Sequence, residues 1–343
     1  MALIDLIYEN YKKISIVGMA KNSGKTVTLN QIIEEAFNED IIIGITSTGR
    51  DGERQDVVTN TEKPTIYVTE GVLIATTTEN LSMGDAKVEV ISVTDYRTPL
   101  GNIVIGRVKD DGYVQIAGPQ TNKGIKEVSD LMLELGAELV IVDGSLNRIS
   151  SASPLVTEAT ILATGAVVSR NMNKVIKETI HTTNLFSLEE VNKAHKSLIE
   201  DIMDNKKVAI VNKDLTVKYL DIKTAINSGS IIASNIDDDT EYVVFPGALV
   251  KKTVEDIIKS NKRYKDIKLI AMDGTKIFIK SKDWLKFRRY GLEVNVLYSI
   301  KTVAVTINPY SPTGYYFNPK EFLEKTRSFL KDVDVFDVML GGE

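Results

Sequence analysis

Lys25 and Thr26 stand side by side directly after Gly24, and a second glycine, Gly18, lies six positions before it, in the run VGMAKNSGKTVTLN. An ammonium, a hydroxyl and two glycines in this order suit the binding of phosphate. The glycines let the main chain approach an anion. The lysine would reach the β- and γ-phosphates, and the threonine hydroxyl would complete the shell of a magnesium ion. Amides at the start of a helix lack internal partners and sit at the positive end of its dipole, so they would strengthen the trap. Five residues, Met19 to Ser23, separate Gly18 from the Gly24–Lys25 pair, where the usual phosphate loop has four. Gly18, Lys21, Asn22, Ser23, Gly24, Lys25, Thr26 and Val27 are the expected nucleotide contacts, and Lys25 is also the expected catalytic cation.

Such a loop works only between a strand and a helix. ISIVG (14–18) reads as a buried β-branched strand. Leu29, Ile32, Ile33, Ala36 and Phe37 recur at helical spacing, and IIIGITST (41–48) reads as the next strand. That is a βαβ unit, which implies a parallel sheet with a right-handed crossover. A later apolar run, LVIVDGS, ends in Asp143. An aspartate at such a strand end commonly holds a magnesium-bound water, so Thr26 and Asp143 are the expected metal ligands. Just beyond it, Arg148 would reach a substrate or the γ-phosphate, or be an ordinary exposed arginine. IAGPQTNKG repeats the strand–glycine–helix pattern with Gly118, Lys123 and Gly124. An ordinary turn is the favoured reading there, since glycine and proline punctuate most loops.

Composition narrows the chemistry. The 343 residues contain no cysteine and only two histidines, His181 and His195. Thiolate metal sites, disulfides and cysteine nucleophiles are excluded. Any metal should be a hard cation held by oxygen, hence Mg²⁺. The net charge of −5 gives no overall footprint for nucleic acid. The N-terminal stretch carries a short amphipathic pattern (Leu3, Ile4, Ile7, Tyr8, Tyr11) rather than a signal peptide. No run approaches the roughly 18 apolar residues of a membrane span. A cytoplasmic protein without nucleic-acid or membrane partners is expected.

The length suggests two domains. The expected fold is α/β: a mostly parallel nucleotide-binding sheet over residues 1–205 with a β-rich insertion at 60–117, then a second α/β domain over 206–343. Further expectations are a helix near 124–135, a strand at 165–171 and a helix near 187–204. In the second half, Asn318 and Pro319 open the last helix. The loop NPYSPTGYYF holds Tyr310, Tyr315, Tyr316 and Phe317, either as a partner surface or as a cover for a sheet end. DWLKFRRYG reads as an amphipathic helix with a basic outer face.

The Gly-x5-Gly-Lys-Thr spacing resembles dethiobiotin synthetase and its relatives in the MinD and nitrogenase iron-protein branch of P-loop NTPases. The resemblance implies a largely parallel sheet, a site often built at a dimer face, and an acidic residue after the second strand. Asp51, and then Glu53, stand there in TSTGRDGERQD, to bind Mg²⁺ through water as a further metal ligand or to orient the attacking water as a catalytic residue, with a solvated charged turn formed by Arg50, Asp51, Glu53 and Arg54 as the alternative. It also implies an asparagine that reads the adenine edge: Asn173 first, Asn171 second, with a helix cap as the alternative for either. Lys21 stands four residues before Lys25, whereas the MinD-type signature lysine stands five before. Its action in cis, in trans or not at all stays open.

More narrowly, GMAKNSGKTVTLN, the acidic balance and the two-part layout are similar to the P-loop subunits thought to reactivate lysine 5,6-aminomutase and other adenosylcobalamin-dependent aminomutases. Those subunits act beside a MutS-like companion ATPase. This resemblance rests mainly on residues 14–30 and overall length. It implies Mg²⁺- and ATP-driven release of damaged cobalamin from a stalled mutase. No Asp-x-His-x-x-Gly cobalamin motif is present. The alternatives are a dethiobiotin-synthetase-like ligase acting on a small carboxylate, and a nucleotide-binding regulatory module with little turnover.

Overall fold

The computed structural model describes residues 2–48, 66–144, 152–222 and 228–339. The chain divides into two compact units, residues 1–179 with 301–343, and residues 180–300.

The first unit opens with helix α1 (Leu3–Ile7), strand β1 (Lys13–Gly18), helix α2 (Lys25–Asn38) and strand β2 (Ile43–Ser47). Strands β3 (Ile66–Val68), β4 (Leu73–Thr77), β5 (Lys87–Thr98), β6 (Gly101–Asp110) and β7 (Gly112–Val114) follow. Then come α3 (Asn122–Glu134), β8 (Leu139–Asp143), β9 (Ala159–Gly165) and α4 (Met172–Phe186), which carries the chain into the second unit. The second unit holds α5 (Lys196–Asp204), β10 (Ala209–Asn212), β11 (Val217–Tyr219), α6 (Gly229–Ser234), β12 (Thr240–Phe245), β13 (Leu249–Val250), α7 (Lys251–Ser260) and β14 (Lys268–Ala271). It closes with β15 (Ile277–Phe278), α8 (Ser281–Arg289) and β16 (Glu293–Val296). The chain then returns to the first unit as β17 (Thr302–Asn308), α9 (Pro319–Phe329) and β18 (Asp334–Asp337).

A nine-stranded sheet, in the order β18-β17-β9-β1-β8-β2-β4-β6-β5, organises the first unit. From β18 to β4 every neighbouring pair is parallel; β6 and β5 add an antiparallel edge. The α/β class is as the sequence implies. α1 and α2 cover one face, burying Leu3, Ile7, Leu29 and Ile32 against Ile14, Ile16, Ile43 and Ile141. α3 covers the other face with Val128 and Met132 against Leu73, Ile105 and Val140. Parallel strands covered on both faces read as continuous apolar runs, which is why β1, β2 and β8 stand out in the sequence.

The second unit is built on a five-stranded sheet, β11-β10-β12-β14-β16, in which β12, β14 and β16 run parallel and β10 antiparallel. α7 and α8 bury Val254, Ile257, Trp284 and Phe287 on one face, and α5 buries Ile199 and Ile202 on the other.

Four expectations need correction. The domain division is not 1–205 and 206–343: the second unit is inserted between β9 and β17, and residues 301–343 complete the first sheet. The strand expected at 165–171 is Ala159–Gly165 instead, in which Ile161 and Leu162 are flanked by small and Thr residues, all of them buried. The helix expected near 187–204 begins only at Lys196, because Glu190 bridges to Val296 as an extended segment. Phe37, placed on the buried face of α2, is 56% exposed. Asn318 does open the last helix, its Oδ1 accepting from the Glu321 amide at 3.1 Å.

Candidate functional site

β1 is the middle of the parallel sheet, hydrogen-bonded to β8 on one side and β9 on the other. Its carboxyl end, Gly18, runs into the turn that opens α2, so the loop lies where strand ends of such sheets collect ligands. The turn needs two left-handed residues, Asn22 (φ 61°) and Gly24 (φ 103°). Such alternation turns successive amides toward a common centre, an anion-binding concavity. Gly24 is the N-cap of α2 and contributes no side chain there, so the first-turn amides stay uncapped by protein. Gly18 allows the return of the loop: a Cβ there would stand 2.5 Å from Ser23 Oγ and 3.0 Å from the Lys25 side chain.

Ser23 is 1% exposed, and its hydroxyl has no hydrogen-bond partner. A buried hydroxyl in that condition calls for an explanation, and a phosphate oxygen over the loop would supply a partner. The Lys25 ammonium donates to the Gly144 carbonyl at 2.5 Å, one residue past Asp143. Asp143 itself ends β8, in register with Ile16 of β1 and Ser47 of β2, and is half-buried. The structure therefore brings the Gly18–Thr26 loop and the Asp143–Gly144 turn together at the carboxyl ends of two adjacent inner strands. Lys21, Asn22, Thr26 and Val27 are half-buried on the same loop. Among the described residues no group of three or more His, Asp or Glu side chains could hold a metal alone. A magnesium ion held by Thr26, Asp143 and nucleotide oxygens would not need one.

Two further strands close on the loop. Asn308, the last residue of β17, packs its Cβ 3.1 Å from where a Gly24 Cβ would stand, and its backbone oxygen lies 2.4 Å from the equivalent point of Gly165. Val338, just past β18, lies 3.8 Å from the same Gly24 position. Sequence reading missed both contacts. The only local signal was a β-branched strand, TVAVTIN, running into Asn308-Pro309.

Beside these strand ends, the 165–173 and 309–318 segments meet. Arg170 lies 5.3 Å from the Tyr315 ring centroid, and the Tyr315 hydroxyl donates to the Ala166 carbonyl. Phe317 packs edge-on against Phe322, while Tyr310 (44% exposed) and Tyr316 (70%) stand next to each other in solvent. Half of the aromatic loop thus covers the sheet end, and half faces outward. Asn171 Oδ1 accepts from the Lys174 amide at 3.2 Å, which makes it the cap of α4; Asn173 is exposed on the first turn.

The second glycine pattern is an ordinary turn. Thr121 Oγ1 caps α3 through the Gly124 amide, and Lys123 turns to Glu127 at 3.6 Å. Gly118 is required because a Cβ would fall 1.7 Å from the Ser47 carbonyl oxygen. Arg50, Asp51, Glu53, Arg54 and Arg148 lie outside the described residues. No family model matches the chain, and no curated protein matches it. No helix among the described residues is long and apolar enough to cross a membrane.

Proposed function

We propose that the chain is a magnesium-dependent ATPase whose turnover acts on a protein partner. The observation that carries this reading is the uncapped, left-handed Gly18–Thr26 turn between a central parallel strand and α2, with Asp143 ending the neighbouring strand. In this reading the loop amides and Lys25 hold the triphosphate, and Thr26 and Asp143 hold the cation. Asp51 and Glu53, after β2, place the attacking water. The 165–173 and 309–318 segments face the base, with Asn173 or the exposed tyrosines beside it. The resemblance of residues 14–30 to aminomutase reactivases extends the proposal: the partner is an adenosylcobalamin-dependent aminomutase, and a MutS-like ATPase is the companion.

The test has two parts. Purified protein should gain thermal stability with ATP and magnesium, and Lys25→Ala should abolish that gain; no shift in the unaltered protein would remove the nucleotide reading. Basal hydrolysis should be slow and rise when a purified aminomutase and its companion subunit are added. ADP formation that depends wholly on a small carboxylate would instead favour a ligase.

A further inference from the structure

α8 has two unlike faces. Ser281, Trp284 and Phe287 are buried in the core of the second unit. On the outer side Lys282, Leu285, Lys286 and Arg289 recur at spacings of three and four, which aligns them in one stripe, and all four are exposed. Tyr290 continues the stripe at 46% exposure, with Lys286 Nζ 5.7 Å from its ring centroid. A second element adds charge at the same end. The Tyr264 hydroxyl donates to the Tyr290 carbonyl at 3.0 Å, and the Lys265 side chain lies 3.5 Å from where a Gly291 Cβ would stand.

These cations are not there to balance local acids. Asp283, the helix's own acid, sits 3.0 Å from Lys251. Among the described residues Lys265, Lys282, Lys286 and Arg289 form no ion pair. Between residues 259 and 293 there are eleven Lys and Arg against four Asp and Glu, in a chain whose net charge is −5. Helix stability accounts for part of this excess, since Lys286, Arg288 and Arg289 complement the negative end of the dipole. Lys280 at the N-cap and Lys282 in the first turn oppose it.

We propose that the outer stripe of α8 is a docking face for an acidic protein surface that carries apolar side chains among its carboxylates. This rests on the reading of the chain as a subunit that works on a protein partner. Leu285 and Tyr290 lie between the cations, and protein interfaces pair such Tyr and Arg anchors with a polar rim. Nucleic acid, with its dense negative charge, is opposed by the net negative chain, and an isolated leucine gives it no base-stacking surface. An anionic membrane surface would need a broad apolar helix face, and the broad apolar face of α8 is buried in its own core.

Four probes separate these partners on the full-length protein: a labelled amphipathic peptide of Glu, Leu and Phe; polyglutamate of equal charge; oligothymidylate; and vesicles containing phosphatidylglycerol. At about 0.15 M salt, where long-range attraction is screened, the amphipathic peptide should bind about tenfold tighter than polyglutamate. Combined Lys282→Glu, Lys286→Glu and Arg289→Glu changes should weaken it about tenfold or more, as for charges that steer and hold an interface. Leu285→Ala should narrow the gap between the two peptides. The milder Lys282→Gln and Lys286→Gln pair gives the same direction should the triple variant fail to fold. The thermal shift with magnesium and ATP is recorded on the same samples and should survive in every variant, which tests this face apart from the nucleotide site. The proposal is overturned if the amphipathic peptide does not bind, if the charge changes leave its binding unaltered, or if oligothymidylate or the vesicles bind more tightly.

Discussion

Thr28 and Thr306, 278 positions apart in the chain, share a hydrogen bond of 2.8 Å between their buried hydroxyls. One stands in the first turns of α2 and the other in β17, so the helix that opens the phosphate loop is fastened to the strand that returns from the second unit. Thr28 Oγ1 also contacts the Gly24 carbonyl at 3.1 Å. Thr306→Val should cost about 0.5–1.5 kcal/mol, because Thr28 keeps its second partner. Thr28→Val should cost more, about 1–3 kcal/mol, because it leaves the Thr306 hydroxyl buried and unpaired. Urea unfolding of both variants checks the order; equal costs would mean that the two hydroxyls do not depend on each other.

Gly24 should tolerate no side chain. Its φ of 103° is strained for an L-residue, and the nearest neighbour of an added Cβ is Asn308 Cβ at 3.1 Å. Gly24→Ala should therefore destabilise the protein by about 1–3 kcal/mol and weaken ATP binding, because relaxing φ turns the first amides of α2 away. An unchanged unfolding midpoint together with unchanged affinity would contradict the geometry.

How far the sequence could be read follows from which contacts are local. β1, the loop and α2 were legible because a βαβ unit writes its pattern within thirty-odd residues, and β8 because a strand covered on both faces is continuously apolar. β9 was misplaced because Ala-Thr-Ile-Leu-Ala-Thr-Gly has only Ile161 and Leu162 as large apolar residues to mark a strand; Gly165 at its end must be small where it passes the Asn308 carbonyl. The return of residues 301–343 to the first sheet has no local signature. TVAVTIN reads as a buried strand of either unit, and only its pairing with β9 and β18 decides which. For that reason Asn308 and Val338 could not be joined to Gly24 from spacing alone. The partners of a basic helix such as α8 are likewise not written in the helix.

Asp143→Asn should separate metal use from folding. The residue ends β8, and Val140, Ile141 and Val142 before it carry the burial. The variant should keep its fold and bind nucleotide in chelator as the parent does. Magnesium-stimulated turnover should fall by about tenfold or more, as expected when an ion that stabilises transition-state charge loses a carboxylate. If turnover and its magnesium dependence are unaltered, Asp143 is no part of the metal site.

Acid should loosen the seat of α1 in part through the Glu138 carboxylate. The Tyr8 hydroxyl donates to Glu138 Oε2, and the Ile42 amide donates to Oε1 at 3.1 Å. The hydrogen bond from Tyr8 and then that from Ile42 hold the Glu138 carboxyl below its ordinary range; the bond to Glu138 pushes Tyr8 up. A carboxylate lowered by folding contributes stability above its unfolded pKa, about 4.3, and loses it as pH falls through the folded value; a raised tyrosine contributes below about 10 and loses it as pH rises through its folded value. The contribution is thus complete between those two ranges. Urea midpoints at about pH 3, 5 and 7 should fall more on the acid side for the parent than for Glu138→Gln, in which this position has no carboxylate to protonate. Tyr8→Phe should give a shallower acid limb than the parent while keeping the part due to Ile42. If all three proteins lose stability in parallel on acidification, the Tyr8–Glu138 bond contributes nothing to the acid limb.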